Sequence, residues 1–169
     1  MDWQIQSLGR VSSVSGERFA PGDIVVCLIY VQVDGELGRA DMLEEEEEIF
    51  EVEPTSIVGR WKREVKQPGS DNEAKQQSIQ SAEDLFLSLF AQEKISPADE
   101  PEDLRILKHF LSLMLERKRV IRAVSPRSMK GQQPYIYIKT KENYEVPIVD
   151  VTPEALLKVQ TIISDLTSL

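Results

Sequence analysis

At 169 residues and 41 % hydrophobic content, the chain is long enough to bury one core or two small ones, which excludes extensive disorder outside its middle. The lone cysteine, Cys27, excludes an internal disulfide, and no apolar run reaches the roughly 18 residues of a spanning helix. Twenty basic against twenty-nine acidic residues, net charge -9, exclude general attraction to phosphate or to an anionic membrane. Met1–Arg10 lacks the basic-then-apolar order of a secretory signal, so a cytoplasmic location is expected. The acidity is uneven: residues 1–66 hold fourteen acids and seven bases, residues 67–169 fifteen and thirteen.

Asp2–Leu8 alternates with Trp3 and Ile5 on one side and predicts a short strand, followed by a Ser- and Gly-rich loop. Pro21-Gly22-Asp23 is a turn signal. Ile24–Val33 is almost continuously apolar and β-branched, which predicts a central strand covered on both faces. Asp34-Gly35 suits a tight hairpin turn, and the return strand Glu36–Leu43 mixes Leu37 and Leu43 with Arg39 and Asp41 on one side, as an edge strand does. Arg39 and Asp41 can then pair with each other or with a neighbouring strand, a surface pair of that kind contributing about 0–1 kcal/mol. Glu44–Glu48 is a run of five acids that reads as a solvated loop, with a basic partner or a weak cation site as the sharper alternatives. It lacks the alternate-ligand spacing and glycine turn of a calcium loop. Ser56–Val65 predicts another strand, in which Trp61 stands between Arg60 and Lys62 as a core aromatic or a stacking platform.

Lys66–Gln80 has no large apolar residue until Ile79 and predicts a flexible linker over 67–80. Beyond it, Ser81 with Asp84 resembles a capping box ahead of Leu85, Phe86, Leu89 and Phe90. Pro101 opens a second helix with a broad apolar stripe, Leu104, Leu107, Leu111 and Leu115, ending in Arg117, Lys118 and Arg119. A short strand over Arg119–Val124 with Val120 inward, a basic loop over Pro126–Gly131, and strands at Tyr135–Thr140 and Asn143–Val149 follow. Thr152-Pro153-Glu154 starts a last helix. The predicted fold is α+β. An N-terminal antiparallel β-rich part over 1–66, a partial barrel or meander, precedes a helix-helix-three-strand-helix part over 81–169.

The catalytic inventory is thin. Cys27 falls in a buried strand and His109 at an exposed or rim position of a helix, with no local sequence joining them. No glycine-rich phosphate loop or zinc ligand set is present, so no cofactor and no metal are expected. The strongest binding group is Arg117, Lys118, Arg119 and Arg122, in a stretch from Glu116 to Lys130 with six bases and one acid. Tyr135 and Trp61 complete the candidate set, because cations beside aromatics suit a single-stranded nucleic acid.

Ser15-Gly16-Glu17 with Pro21-Gly22-Asp23, Gly38-Arg39-Ala40-Asp41 before Trp61, Leu115-Glu116-Arg117-Lys118-Arg119, and Tyr144-Glu145-Val146 together resemble a family of small uncharacterised bacterial proteins. The resemblance implies no activity. The leading expectation is a non-enzymatic protein-protein interaction or regulatory module, with a protein or a second copy of the chain as partner and no membrane association. A nucleic-acid binder using residues 117–130 is the alternative, and an enzyme with a carboxylate and arginine site between the two halves the second.

Overall fold

The computed structural model describes residues 11–53, 56–66, 71–91, 100–124, 132–150 and 152–163, with backbone alone over 71–75. The expected Asp2–Leu8 strand and the Pro126–Gly131 loop lie outside them. Two open three-stranded antiparallel sheets and three helices make up the described fold, with no closed barrel. The α+β expectation holds.

β1 (Ile24–Val31) and β2 (Leu37–Leu43) form a hairpin whose turn uses Gly35 at φ +89. β3 (Ile57–Glu64) pairs with the other edge of β1, giving the order β2-β1-β3. Side chains alternate across a strand, so Val25, Cys27 and Ile29 face one side while Val26 and Leu28 face the other. The first set joins the main core; the second packs with Ala40 and Met42 beneath Val14, Phe50 and Val52 from flanking segments. Both faces of the first sheet are therefore covered, as the unbroken apolar run of β1 requires.

The acidic run after β2 is structured. Glu44–Glu46 forms a 3-10 turn in which the Glu46 carboxylate accepts from the Leu43 amide at 2.9 Å and from Ser12 Oγ at 2.8 Å. Glu47 pairs with Arg60 at 2.7 Å and Glu44 with Lys62 at 2.7 Å, so the charges flanking Trp61 neutralise part of the acidic run.

α1 (Asp71–Ala91) departs from expectation, because residues 71–80 are helix and not flexible linker. Ser81 is correspondingly a buried mid-helix residue and no cap. Missing apolar residues report missing burial, not backbone preference. Glu73 to Gln77 are good helix formers, and they extend a helix whose nucleus is already fixed by packing downstream. Gln77 Nε2 donates to the Glu64 carbonyl at 2.6 Å, tying this turn to the end of β3. Further along, α1 lies directly on Gly59, where a Cβ would sit 2.6 Å from Leu85 Cδ1.

α2 (Glu102–Arg117) begins after Pro101 with Glu102 and Asp103 in its first turn. It fully buries Ile106, Leu107 and Leu111, at roughly 1.5–3 kcal/mol for each apolar side chain removed from water. β4 (Ile121–Ala123), β5 (Gln132–Tyr137) and β6 (Asn143–Pro147) form the second sheet in that order, with Pro147 at the end of an edge strand. Ile121, not Val120, is the inward residue of β4, at 1 % exposure. α3 (Pro153–Ile162) starts at Thr152, whose Oγ1 accepts from the Ala155 amide at 3.2 Å.

α2 touches α1, α3 and the second sheet. One buried cluster runs from Val25 and Trp61 through Leu85, Leu107 and Leu111 to Tyr137 and Val146, so residues before and after the expected linker share a core. Phe86, Phe90 and Tyr144, with ring centroids 4.8 to 5.6 Å apart, join α1 to the edge of the second sheet.

Candidate functional site

The cations at the end of α2 are placed by a specific chain reversal. The Val120 amide donates to the Leu115 carbonyl at 2.9 Å and the Arg119 amide to the Glu116 carbonyl at 3.0 Å, with Arg119 at φ +63. This is the Schellman arrangement, with arginine in the left-handed position glycine normally takes. The Ile138 amide donates to the Val120 carbonyl at 3.1 Å, which brings the β5–β6 turn with Lys139 and Lys141 alongside Lys118 and Arg119. Arg117, Arg119, Arg122, Lys139 and Lys141 are exposed and Lys118 is half-buried. Cations from two turns thus meet at one end of the second sheet.

The aromatic members of the candidate set are elsewhere. Tyr135 is buried on the inner face of the second sheet, its Oη 3.4 Å from Glu116 Oε1. Tyr137 also points inward and donates to the buried carboxylate of Glu83, which Lys139 Nζ approaches to 3.1 Å. Burial and then the Glu83 carboxylate push the Tyr137 phenol far above its ordinary value. Trp61 lies in the first sheet at 3 % exposure with the Arg39 guanidinium 5.1 Å from its ring centroid, so it offers no face for stacking a ligand. The basic residues are brought together; Tyr135 and Trp61 are not among them.

β5 explains the outer surface. Its register turns Gln133, Tyr135 and Tyr137 toward the helices and Pro134, Ile136 and Ile138 away from them. With exposed Val124 and Arg122 from the neighbouring segment, they form an outer face on which Ile138 is exposed and Pro134 and Ile136 are half-buried.

The inner face holds a pocket of about 220 Å³ between α2 and the second sheet. His109, Ser112 and Glu116 line it from α2, and Gln133 and Tyr135 from β5. Against the expected exposed or rim position, His109 is 9 % exposed, because the C-terminal strands and the segment after β6 cover that flank of α2. Its Nδ1 accepts from the Val149 amide at 3.0 Å, which puts the proton of the neutral ring on Nε2. Ser112 Oγ donates to the His109 carbonyl at 2.6 Å and so is not activated by the imidazole. The spacing 109, 112, 116 marks one helix face and is the signal that finds half of this pocket; the other half comes from strand pairing.

Arg39 and Asp41 do not form a surface pair. Arg39 Nε and Nη2 donate to Asp41 at 2.8 and 2.9 Å, with the two side chains 2 and 3 % exposed. Arg39 Nη1 also caps the end of α3 at the Ile162 carbonyl, 2.9 Å away, and α3 is what covers this side of the edge strand. The Cys27 thiol lies 3.1 Å from Asp41 Oδ2; burial and then that carboxylate raise its pKa well above the ordinary value, away from nucleophilic use. A carboxylate and an arginine do meet between the two halves, but substrate has no access to them.

Among the described residues no group of three or more His, Cys, Asp or Glu side chains is arranged to hold a metal ion. No described helix is long and apolar enough to cross a membrane. No family profile, curated protein or solved structure matches the chain.

Proposed function

We propose that the protein is a non-enzymatic interaction module that docks an acidic protein segment on the outer face of its second sheet. The observation that carries this reading is the inverted patterning of β5. Ile136 and Ile138 face outward while Gln133, Tyr135 and Tyr137 face the core. An aliphatic sheet face rimmed by Arg117, Arg119, Arg122 and Lys141 matches a partner that brings apolar side chains between acids. The alternative of nucleic-acid binding keeps the cations but loses its stacking platform, since Tyr135, Tyr137 and Trp61 are buried.

Fluorescence anisotropy with three labelled probes at about 50 mM salt separates these readings. The probes are an acidic amphipathic peptide, a single-stranded oligonucleotide and a duplex. The module reading expects saturable binding of the peptide, weakened by Arg119→Ala with Arg122→Ala, and also weakened by Ile136→Ser. A response to the oligonucleotides alone, or one insensitive to Ile136→Ser, overturns it. Concentration-dependent self-association abolished by Arg122→Ala would instead identify a second copy, through its own Glu-rich segment, as the occupant.

A further inference from the structure

At the far end of α2 from the basic cluster lies an apolar groove of the opposite charge. α3, the start of β2 and the first turn of α2 enclose about 350 Å³ there, over Leu37, Leu157 and Ile162. Leu157 is 64 % exposed on the wall of this groove. Glu36, Asp103 and Glu154 line it with a single cation, Lys158, whose Nζ is 2.9 Å from Glu36. That bond, and then Asp103 and Asp34, raise the pKa of Lys158, so the field at the groove is negative in spite of its cation. The hydroxyl of Thr161 is spent internally, since its Oγ1 donates to the Leu157 carbonyl at 2.8 Å.

Acids at the start of a helix and cations at its end compensate the helix dipole, which accounts for Asp103, Glu154 and Arg117. Compensation does not account for an exposed leucine and an open groove between those acids, nor for Arg122 and Lys141, which lie beyond α2. Among the described residues Asp103, Glu154, Arg117, Arg119, Arg122 and Lys141 are in no ion pair. Asp103 and Arg117 stand about 21 Å apart along α2 at the helical rise, so the two patches share no residue.

The basic face sets Val124 and Ile138 among cations, and the groove sets Leu157 and Ile162 among acids, so the two match in charge and in apolar character. The Glu-rich run after β2 is a poorer match, because Glu44, Glu46 and Glu47 are already bonded to Lys62, Ser12 and Arg60. Pairing like patches across a two-fold axis would set cation against cation, so a contact between copies joins unlike ends.

We propose that the acidic partner of the outer sheet face is the α3 groove of a second copy of this chain, joined head to tail. This rests on the docking face proposed above and adds its occupant. Each pair keeps one free face and one free groove, so association continues into a ring or a row.

Sedimentation equilibrium of the full chain at about 50 mM salt should show an average mass that rises with concentration up to about 1 mM and falls back at about 1 M salt. Arg122→Glu breaks the face and Leu157→Lys the groove; both positions are exposed, and an unchanged urea midpoint checks the fold. Each variant alone should associate at least about tenfold more weakly than the native chain. Mixed in equal amounts, they retain one intact face and one intact groove between them and should form a species of two chains and nothing larger. A native chain that stays monomeric overturns the proposal, as does association that survives Leu157→Lys, or a mixture that gives no pair. Leu157→Lys keeps the basic face and should still bind the acidic peptide. Peptide binding without self-association therefore overturns the choice of occupant alone, and loss of both overturns the docking reading with it.

Discussion

Replacing Asp41 by asparagine removes the carboxylate that compensates Arg39 in the space between β2 and the end of α3. The replacement keeps the shape and one acceptor oxygen, but sets an amide against the Nη2 of Arg39 or the thiol of Cys27. The size of the effect depends on burial. An exposed ion pair contributes about 0–1 kcal/mol, whereas removing one partner of a buried pair costs about 3–5 kcal/mol, because the other charge stays desolvated. With side chains 2 and 3 % exposed and bonds of 2.8 and 2.9 Å, the second regime applies. At about 2–4 °C per kcal/mol for a chain of this length, Tm should fall by about 6–20 °C.

Urea and thermal unfolding measure this directly, with an unchanged m value showing that only stability moved. The double variant Arg39→Met with Asp41→Leu leaves neither charge buried and should recover much of the loss. It should not recover all of it, since the cap on the Ile162 carbonyl and the guanidinium over Trp61 go with Arg39, and Arg63, 3.8 Å from Asp41, loses its carboxylate in both variants. A loss below about 1 kcal/mol for Asp41→Asn, or a double variant no more stable than the single one, refutes the argument.

Arg119→Gly should raise stability by about 0.5–1 kcal/mol in urea unfolding, because glycine takes φ +63 without the strain arginine meets there; a loss of stability would show that the Arg119 side chain supports the fold. Cys27 should resist a thiol reagent in the native protein and react only as fast as the chain unfolds, so fast labelling without denaturant contradicts its burial beside Asp41. The Arg60 bond holds the Glu47 carboxyl below its ordinary 4.5. A carboxylate with a lowered folded pKa stabilises above its unfolded pKa, and that contribution is lost as pH falls through the folded value. Glu47→Gln should therefore reduce the difference in unfolding free energy between pH 7 and pH 3, measured in urea, by no more than about 1 kcal/mol for so exposed a pair, and an unchanged difference contradicts the assignment.

Where one element is governed by local chemistry, the sequence is readable. Ile24–Val33 announces a strand buried on both faces, Asp34-Gly35 its hairpin, Pro101 the start of α2, and Thr152-Pro153 the start of α3. Where tertiary cover decides, it is not. Residues 71–80 are polar and helical at once, because they extend a helix anchored by Leu85 and Leu89 on Gly59. Arg39 and Asp41 look like an edge strand's charges, and they are; α3 then closes over them. His109 beside Lys108 suggests a wet rim, yet the backbone after β6 folds back to donate to its ring.

The proposed docking face traces to β5, whose sequence alternates in the unexpected sense. A strand with one covered face ordinarily turns aliphatics inward and polar groups outward. Gln132–Tyr137 does the reverse, with Gln133, Tyr135 and Tyr137 inside and Pro134, Ile136 and then Ile138 outside. Sliding the register by one residue would restore the ordinary pattern, but the pairs Tyr137 to Ile121 and Gln133 to Val146 hold it in place. The inward tyrosines bring hydroxyls to Glu83 and Glu116, and the inward glutamine brings an amide to the pocket, so the interior gains polar contacts an aliphatic strand would not make. The outward aliphatics leave Ile138 exposed and Ile136 half-buried, apolar surface that a docked partner would cover. Exchanging Ile136 and Ile138 for threonine therefore tests the inversion itself: with Ile138 exposed and Ile136 half-buried, stability should fall by no more than about 1 kcal/mol, while binding of the acidic peptide is lost. A large loss of stability instead would place those side chains in the protein's own core.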